Sequence, residues 1–281
     1  MNVLTTTLLL LTGSLGAGFL GSLSGLGGGI VVIPLMALGL GIDIHYAIGT
    51  GLIAVIATST ASSCAYVKEG FSNVRVAILL ETATTIGAVS GVAIGSLLPA
   101  VLLSVLFGIY LLYCSATSIF GAKPLLDPHT PADPLATKLN LDSSYPSKEG
   151  FKDYHVRGVP LGYTIMFAAG ALSGILGIGS GTLKVLALDR VMHLPFKVST
   201  TTSNFMIGVT AAASAGLYMQ QGYVDPVLTM PVVLGITTGS LIGARLLPHM
   251  PVGVLRKIFI AIITIIGFQM IFGPLFTGGE G

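Results

Sequence analysis

Charge is what this sequence has least of. Of 281 residues, 13 are Lys or Arg and 11 are Asp or Glu, which is 9% charged against about 25% in soluble domains. A soluble fold of this size cannot clothe its surface with so few charges. With 53% apolar residues and a mean hydropathy of +0.91, the composition predicts an integral membrane protein. The net charge of +2 gives no nucleic-acid footprint. Two cysteines, Cys64 and Cys114, lie in apolar runs; two thiols without metal spacing exclude a disulfide framework and read as buried side chains. No Gly-Lys-Ser or Gly-Lys-Thr occurs, so the chain lacks a phosphate-binding loop and ATP-driven transport by this chain alone is not expected. Gly16–Gly21 spells a dinucleotide fingerprint, but inside an apolar run with no preceding strand and no acidic partner, so it carries nothing. The N-terminus lacks a basic region, and Met1–Leu11 runs into further apolar sequence, the pattern of a retained membrane segment.

The few charges are unevenly placed. Residues 121–157 hold ten of the 24, together with five prolines. A hydrophilic linker, 121–158, thus separates a first apolar region, 1–120, from a second, 159–281. Its composition predicts a loop with little regular structure. Apolar runs recur at 4–23, 30–42, 46–67, 75–98 and 100–120, and again at 159–176, 182–192, 196–219, 224–247 and 251–273. Most are long enough to cross a core of about 30 Å as helices; 30–42 and 182–192 are half-length pieces. Lys68, Arg75, the linker lysines, Arg190, Lys197, Arg256 and Lys257 fall at alternate connections, while those near 42–45, 98–100 and 220–224 have no Lys or Arg. The positive-inside rule then puts the linker in the cytoplasm and both termini outside.

The two regions repeat each other. Leu23-Ser24-Gly25 matches Leu172-Ser173-Gly174, Tyr66 and Gly70-Phe71 match Tyr218 and Gly222-Tyr223, and Gly87, Gly91 and Gly95 match Gly235, Gly239 and Gly243, all at offsets of 148–152. Charges at matching connections are swapped: the turn at Lys68–Arg75 is basic and its counterpart at Gln220–Gly222 is not. The expected fold class is therefore an all-α integral membrane protein of two inverted-topology repeats. Each repeat has three to five spans, including a Gly-rich discontinuous or re-entrant helix. Parity leaves two solutions open, since the first two runs of each half either both cross or form a hairpin with its tip at mid-depth.

Gly87–Gly95 and Gly235–Gly243 have the spacing of close helix packing. Ser24–Gly29 and Ser173–Gly181 are different. Four glycines in five positions, as at Gly25, Gly27, Gly28 and Gly29, make unwound backbone rather than a packing face, since each costs a helix about 1 kcal/mol relative to Ala. Unwound backbone at membrane depth is tolerated where it lines a cavity. Its free N–H groups suit an anion.

These residues also resemble a known family. The tracts LSGLGGGIVVIPLMALGL and SGILGIGSGTLKVLALD, with STTTSNFMIGVTAAASAG at Ser199–Gly216, resemble the paired signatures of the TauE/SafE sulfite exporters. The resemblance covers both apolar regions and fits the linker less well. It implies a bacterial inner-membrane permease for small sulfur-containing anions such as sulfite or short organosulfonates.

The candidate substrate-binding residues are Ser24, Gly25, Gly27, Gly28, Gly29 and Thr50 in the first half, and Ser173, Gly177, Gly179, Gly181, Lys184, Thr201, Thr202, Ser203 and Asn204 in the second. Hydroxyl and amide donors at Thr50 and Thr201–Asn204 suit sulfonate oxygens; their plainer role is capping or interhelical bonding. Lys184 is a cation inside a short apolar run, either facing the site or snorkelling to the interface. Arg245 reads as an interface anchor. Glu81, the one carboxylate well inside a full-length run, is the proton-coupling candidate. The five histidines are scattered and no pair has metal-ligand spacing, so neither a metal site nor a cofactor is expected. The expected partners are a small anion and the lipid bilayer, with a homo-oligomer left open and no nucleic acid. The reading is a non-enzymatic secondary transporter, exporting by alternating access; the alternatives are an anion channel or an importer of a related sulfur anion.

Overall fold

The computed structural model describes residues 3–24, 27–68, 72–120, 133–147, 150–246 and 252–276. Its first region forms α1 (Val3–Ser24), α2 (Gly29–Pro34), α3 (Ile44–Lys68), α4 (Val74–Gly95) and α5 (Ala100–Phe120). The second forms α7 (Val159–Leu176), α8 (Gly181–Leu186), α9 (Phe196–Gln220), α10 (Pro226–Leu246) and α11 (Val252–Phe276). Six segments are long and apolar enough to cross a membrane, within α1, α3, α4, α5, α7 and α10. Large apolar side chains such as Leu4, Ile78, Ile86 and Leu234 stand on their outer faces, as lipid-facing helices require. The chain is a multi-pass, helical membrane protein.

The half-length runs form short helices. Both α2 and α8 are six residues long and pass directly into a π-helical turn, Leu35–Gly39 and Ala187–Val191. Each then turns through a residue of positive φ, Gly41 (65°) and His193 (57°). Glycine takes that conformation freely; histidine takes it at a cost. The starts of α2, α3, α4 and α5 lie 152 positions before those of α8, α9, α10 and α11.

That register corrects one sequence pairing. Gly87 and Gly91 of α4 lie against the carbonyls of Phe167 and Ala171 in α7, where any Cβ would collide, and Gly239 and Gly243 of α10 lie likewise against Leu15 and Phe19 of α1. Gly87 therefore corresponds to Gly239, not to Gly235. Glycines spaced by four keep their pattern when slipped by one helical turn, so the sequence alone fixed that register only to within a turn. The first helix of each half packs along the fourth helix of the other, backbone to backbone.

The central α3 and α9 run antiparallel, with Gly49 of α3 beside Tyr223 just past α9 and Ser59 beside Asn204 and Gly208. α5 and α11 pair outside them. Around this centre Ile33, Leu52, Val55, Phe107, Ile207 and Ile236 form the main core.

The linker corrects another expectation. Residues 121–132, 148 and 149 lie outside the described residues, but the described remainder is structured. Asp133 caps a short helix, α6 (Pro134–Lys138), by accepting from the Leu135 amide at 2.9 Å. β1 (Ser143–Ser147) and β2 (Gly150–Tyr154) then form an antiparallel hairpin pairing Ser143 with Tyr154. Ala136, Leu141, Tyr154 and Val156 bury themselves against Val76, Leu80, Leu188 and Met206 in a second core. Polarity kept this segment out of the membrane, while its few apolar side chains gave it something to fold on.

Candidate functional site

Two glycine tracts meet at α3. Gly27 has φ 80° and Gly179 φ 68°, and both face Val55. Gly29 approaches the carbonyls of Gly51 and Gly177, and Gly28 faces Ile236 and Thr58. Gly181 opens α8, and Gly177 ends α7 in a left-handed conformation with φ 70°. The tracts are thus the crossing point of the two halves. Ser24 closes α1, and Gly25 lies outside the described residues.

Lys184 has no exposed surface, so the snorkelling role falls. α8 is too short, and too deeply packed against α9, to let its side chain reach an interface. Its Nζ donates to the Thr210 hydroxyl near the middle of α9. That hydroxyl has one proton to give, and Glu81 Oε1 accepts it at 2.5 Å. Glu81 Oε2 lies 3.8 Å from Lys184 Nζ, accepts no hydrogen bond, and is buried. Thr84, one turn along α4, stands 3.4 Å from Thr210 Oγ1. Three helices therefore converge on one charge pair bridged by one hydroxyl. Buried ions persist only when paired and hydrogen-bonded; here the ammonium is bonded and the carboxylate is half-satisfied.

The hydroxyl-rich start of α9 is used differently from the sequence expectation. Thr201 donates to the carbonyls of Lys197 and Val198. Thr202 accepts from the Asn73 amide at 3.0 Å, and Ser203 donates to the Gly181 carbonyl at 3.3 Å. The Asn204 carbonyl accepts from Ser59 at 2.5 Å. Thr50 pairs with Thr229, 3.2 Å away. Thr201 thus bonds within α9, while Thr202, Ser203, the Asn204 carbonyl and Thr50 link neighbouring elements. Ser173 and Ser180, both fully buried, have hydroxyls with no hydrogen-bond partner. Ser180 stands at φ 49° immediately before α8.

Sequence reasoning separated Glu81 from Lys184 and passed over Thr210, Thr84, Ser180 and Asn73. Two opposite charges in apolar runs were the available signal, because each needs a partner. Asn73 is a structural hub. Its Oδ1 caps α4 at the Val76 amide, and its Nδ2 donates to the Leu141 carbonyl and to Tyr154 Oη, each at 2.9 Å. Burial pushes the Tyr154 hydroxyl above its ordinary titration range, so it remains protonated there.

The two ends of the helices differ in charge. Arg75 donates to the Asn140 carbonyl of the linker, and the Arg157 amide donates to the Met192 carbonyl. This places Arg75, Arg157, Arg190 and Lys197 at the end where the hairpin docks. At the other end His45 stacks on Tyr223, with Tyr46 and Tyr218 beside it, and the acids Asp43 and Asp225 cap the local turns.

Residues 9–270 match the family described as Sulfite exporter TauE/SafE. The chain is 28% identical to the probable membrane transporter protein YunE of Bacillus subtilis strain 168 over 270 residues, 93% of this chain and 96% of that one. It is also 28% identical to the probable membrane transporter protein YdhB of the same organism, over 91% of this chain and 94% of that one. With the probable membrane transporter protein MJ0441 of Methanocaldococcus jannaschii it shares 23% identity over 96% of each. No solved structure matches. With a helical membrane fold, crossed glycine tracts and a family match over nearly its whole length, the chain belongs to the sulfite exporter TauE/SafE family of membrane transporters.

Proposed function

We propose that this membrane transporter exports small sulfur-containing anions, sulfite or short organosulfonates, across a bacterial inner membrane by alternating access. The observation that carries the reading is Lys184, a fully buried cation beside crossed glycine tracts. A buried ammonium whose nearest carboxylate oxygen is 3.8 Å away is poised to receive a better-placed anion. The unpartnered Ser173 and Ser180 hydroxyls add donors nearby, and the unwound backbone of the tracts adds N–H groups. The antiparallel α3 and α9 and the exchanged packing of α1 with α10 and α4 with α7 support two inverted repeats that rock about the crossing. The basic end with its docked hairpin supports a cytoplasmic linker.

The test is movement of labelled sulfite, thiosulfate, sulfoacetate and taurine in proteoliposomes. Saturable transport of at least one is expected; no movement of any of them sinks the substrate class, and flux that does not saturate favours a channel. Cysteines placed at Lys68 and Gln221 are expected to label from opposite faces, and labelling from one face would refute the inversion.

A further inference from the structure

We infer that the Glu81 carboxylate and the transported anion compete for Lys184, so that each monovalent anion is bound together with one proton. The inference rests on the anion-transporter reading above and adds its coupling and the valence of the substrate.

Lys184 is wholly enclosed, and its one ionic partner among the described residues is Glu81. α8 brings Lys184 and α9 brings the Thr210 hydroxyl. Its own helix brings Thr84. α7 carries a single ionisable side chain, Tyr163, whose hydroxyl is engaged with Thr82 at 3.0 Å. Among the described residues no second cation pairs with Glu81 to hold an anion while Glu81 keeps its charge. Resting, the site is neutral, one ammonium and one carboxylate. An anion entering beside them would leave a net buried negative charge, which a low-dielectric interior opposes strongly. If Glu81 first takes a proton from water, the carboxyl no longer competes and the ammonium turns to the anion. The sum is again zero: an ammonium, a neutral carboxyl and a monoanion. A dianion would leave one charge uncompensated.

The contacts suit the exchange. Glu81 Oε2 accepts no hydrogen bond, so a proton placed there breaks none. Thr210 accepts from Lys184 and donates to Oε1, so it holds the carboxyl in place in either protonation state. The positions 152 residues away, Val32 for Lys184 and Val233 for Glu81, cannot duplicate the exchange. The protein therefore has one such unit, and the coupling is one proton for one anion, moved in the same direction and without net charge.

The test uses the purified full-length protein and calorimetric titration with methanesulfonate and isethionate as monoanions and thiosulfate as a dianion. In two buffers of different ionisation heat, at a pH above the Glu81 midpoint, the wild type is expected to take up one proton per monoanion bound. Its Kd should rise about tenfold per pH unit above the Glu81 midpoint. Glu81→Gln should bind the monoanion with no proton uptake and a flat pH profile. Thiosulfate should bind at least tenfold more weakly than the monoanions at every pH. Monoanion binding without proton uptake in the wild type overturns the inference and leaves the transporter reading standing; so does proton uptake that persists in Glu81→Gln, or equal affinity for thiosulfate. The wild-type proton count decides the matter even if Glu81→Gln fails to fold. Failure of all three anions to bind at any pH overturns the substrate class, and the inference with it.

Discussion

Where α4, α8 and α9 meet, the protein holds Glu81, Lys184 and Thr210 together. Where α10, α2 and α3 meet, 152 residues away in register, it has Val233, Val32 and Thr58. Thr58 there donates back to its own helix, to the Ala54 carbonyl at 2.9 Å, having no ion to serve. The two corners share backbone architecture down to the π-helical turn and the positive-φ residue that ends it. They differ in chemistry. A repeated backbone can be symmetric because carbonyl-to-glycine seams need only shape. A buried ion pair is costly to desolvate, so one suffices and a second would only destabilise. Ser180 standing where the first half has Gly28 makes the same point on a smaller scale.

The largest expected effect breaks the charged corner directly. Lys184→Met leaves the Glu81 carboxylate buried without a cation and should cost about 3–5 kcal/mol. Val32→Met at the equivalent place buries no charge and should cost about 1–3 kcal/mol by overpacking. Denaturant or thermal unfolding in detergent reads both. The double variant Lys184→Met/Glu81→Leu should recover most of the stability and none of the anion binding. If Lys184→Met and Val32→Met are equally mild, the two corners are electrostatically alike and the contrast is lost.

The seams should behave in the opposite way, as equals. Gly87→Leu drives a side chain into the Phe167 carbonyl and Gly239→Leu into that of Leu15. Each should lose about 1–3 kcal/mol or more by overpacking against immovable backbone. Similar losses in both would uphold the 152-residue register. A silent Gly239→Leu beside a damaging Gly87→Leu would show that the seams are not equivalent.

Much of this was legible in the residues. Apolar run lengths anticipated the helices closely: 75–98 became Val74–Gly95 and 182–192 became Gly181–Val191 in two pieces. The charge deficit was a sufficient guide to the membrane, and the half-length runs to the short helices α2 and α8. What sequence could not supply was partnership across the fold. Glu81 and Lys184 are 103 positions apart in the chain, and nothing local joins them. The hydroxyl run Thr201–Ser203 looked like a binding cluster because composition does not say which way a side chain bonds. Three successive positions on a helix point some 100° apart, so Thr201, Thr202 and Ser203 reach three different partners. The linker misled for a related reason, its hairpin being stabilised by tertiary burial of Leu141, Tyr154 and Val156 and not by its own polar composition.

The smallest expected effect lies at the two helix starts that flank these corners. Asn73 and Asp225 begin α4 and α10, and each caps its helix through a side-chain oxygen, to Val76 at 3.1 Å and to Val227 at 2.8 Å. Loss of a cap alone is worth about 1 kcal/mol. Asn73 also gives both its amide protons to the linker, to Leu141 and Tyr154, and such bonds are worth about 1 kcal/mol each. Asn73→Ala should therefore cost about 1–2 kcal/mol more than Asp225→Ala. It should also speed hydrogen exchange in the 143–154 hairpin, which Asp225→Ala should leave unchanged. Burial holds Tyr154 above the ordinary tyrosine range, so the stability contributed by the buried phenol is fully present below that range and falls as pH rises through the titration of Tyr154 itself. Equal stability losses, with hairpin exchange unaltered, would mean that the linker does not draw on Asn73. The linker would then be held by its apolar contacts and by the Arg75–Asn140 and Arg157–Met192 bonds.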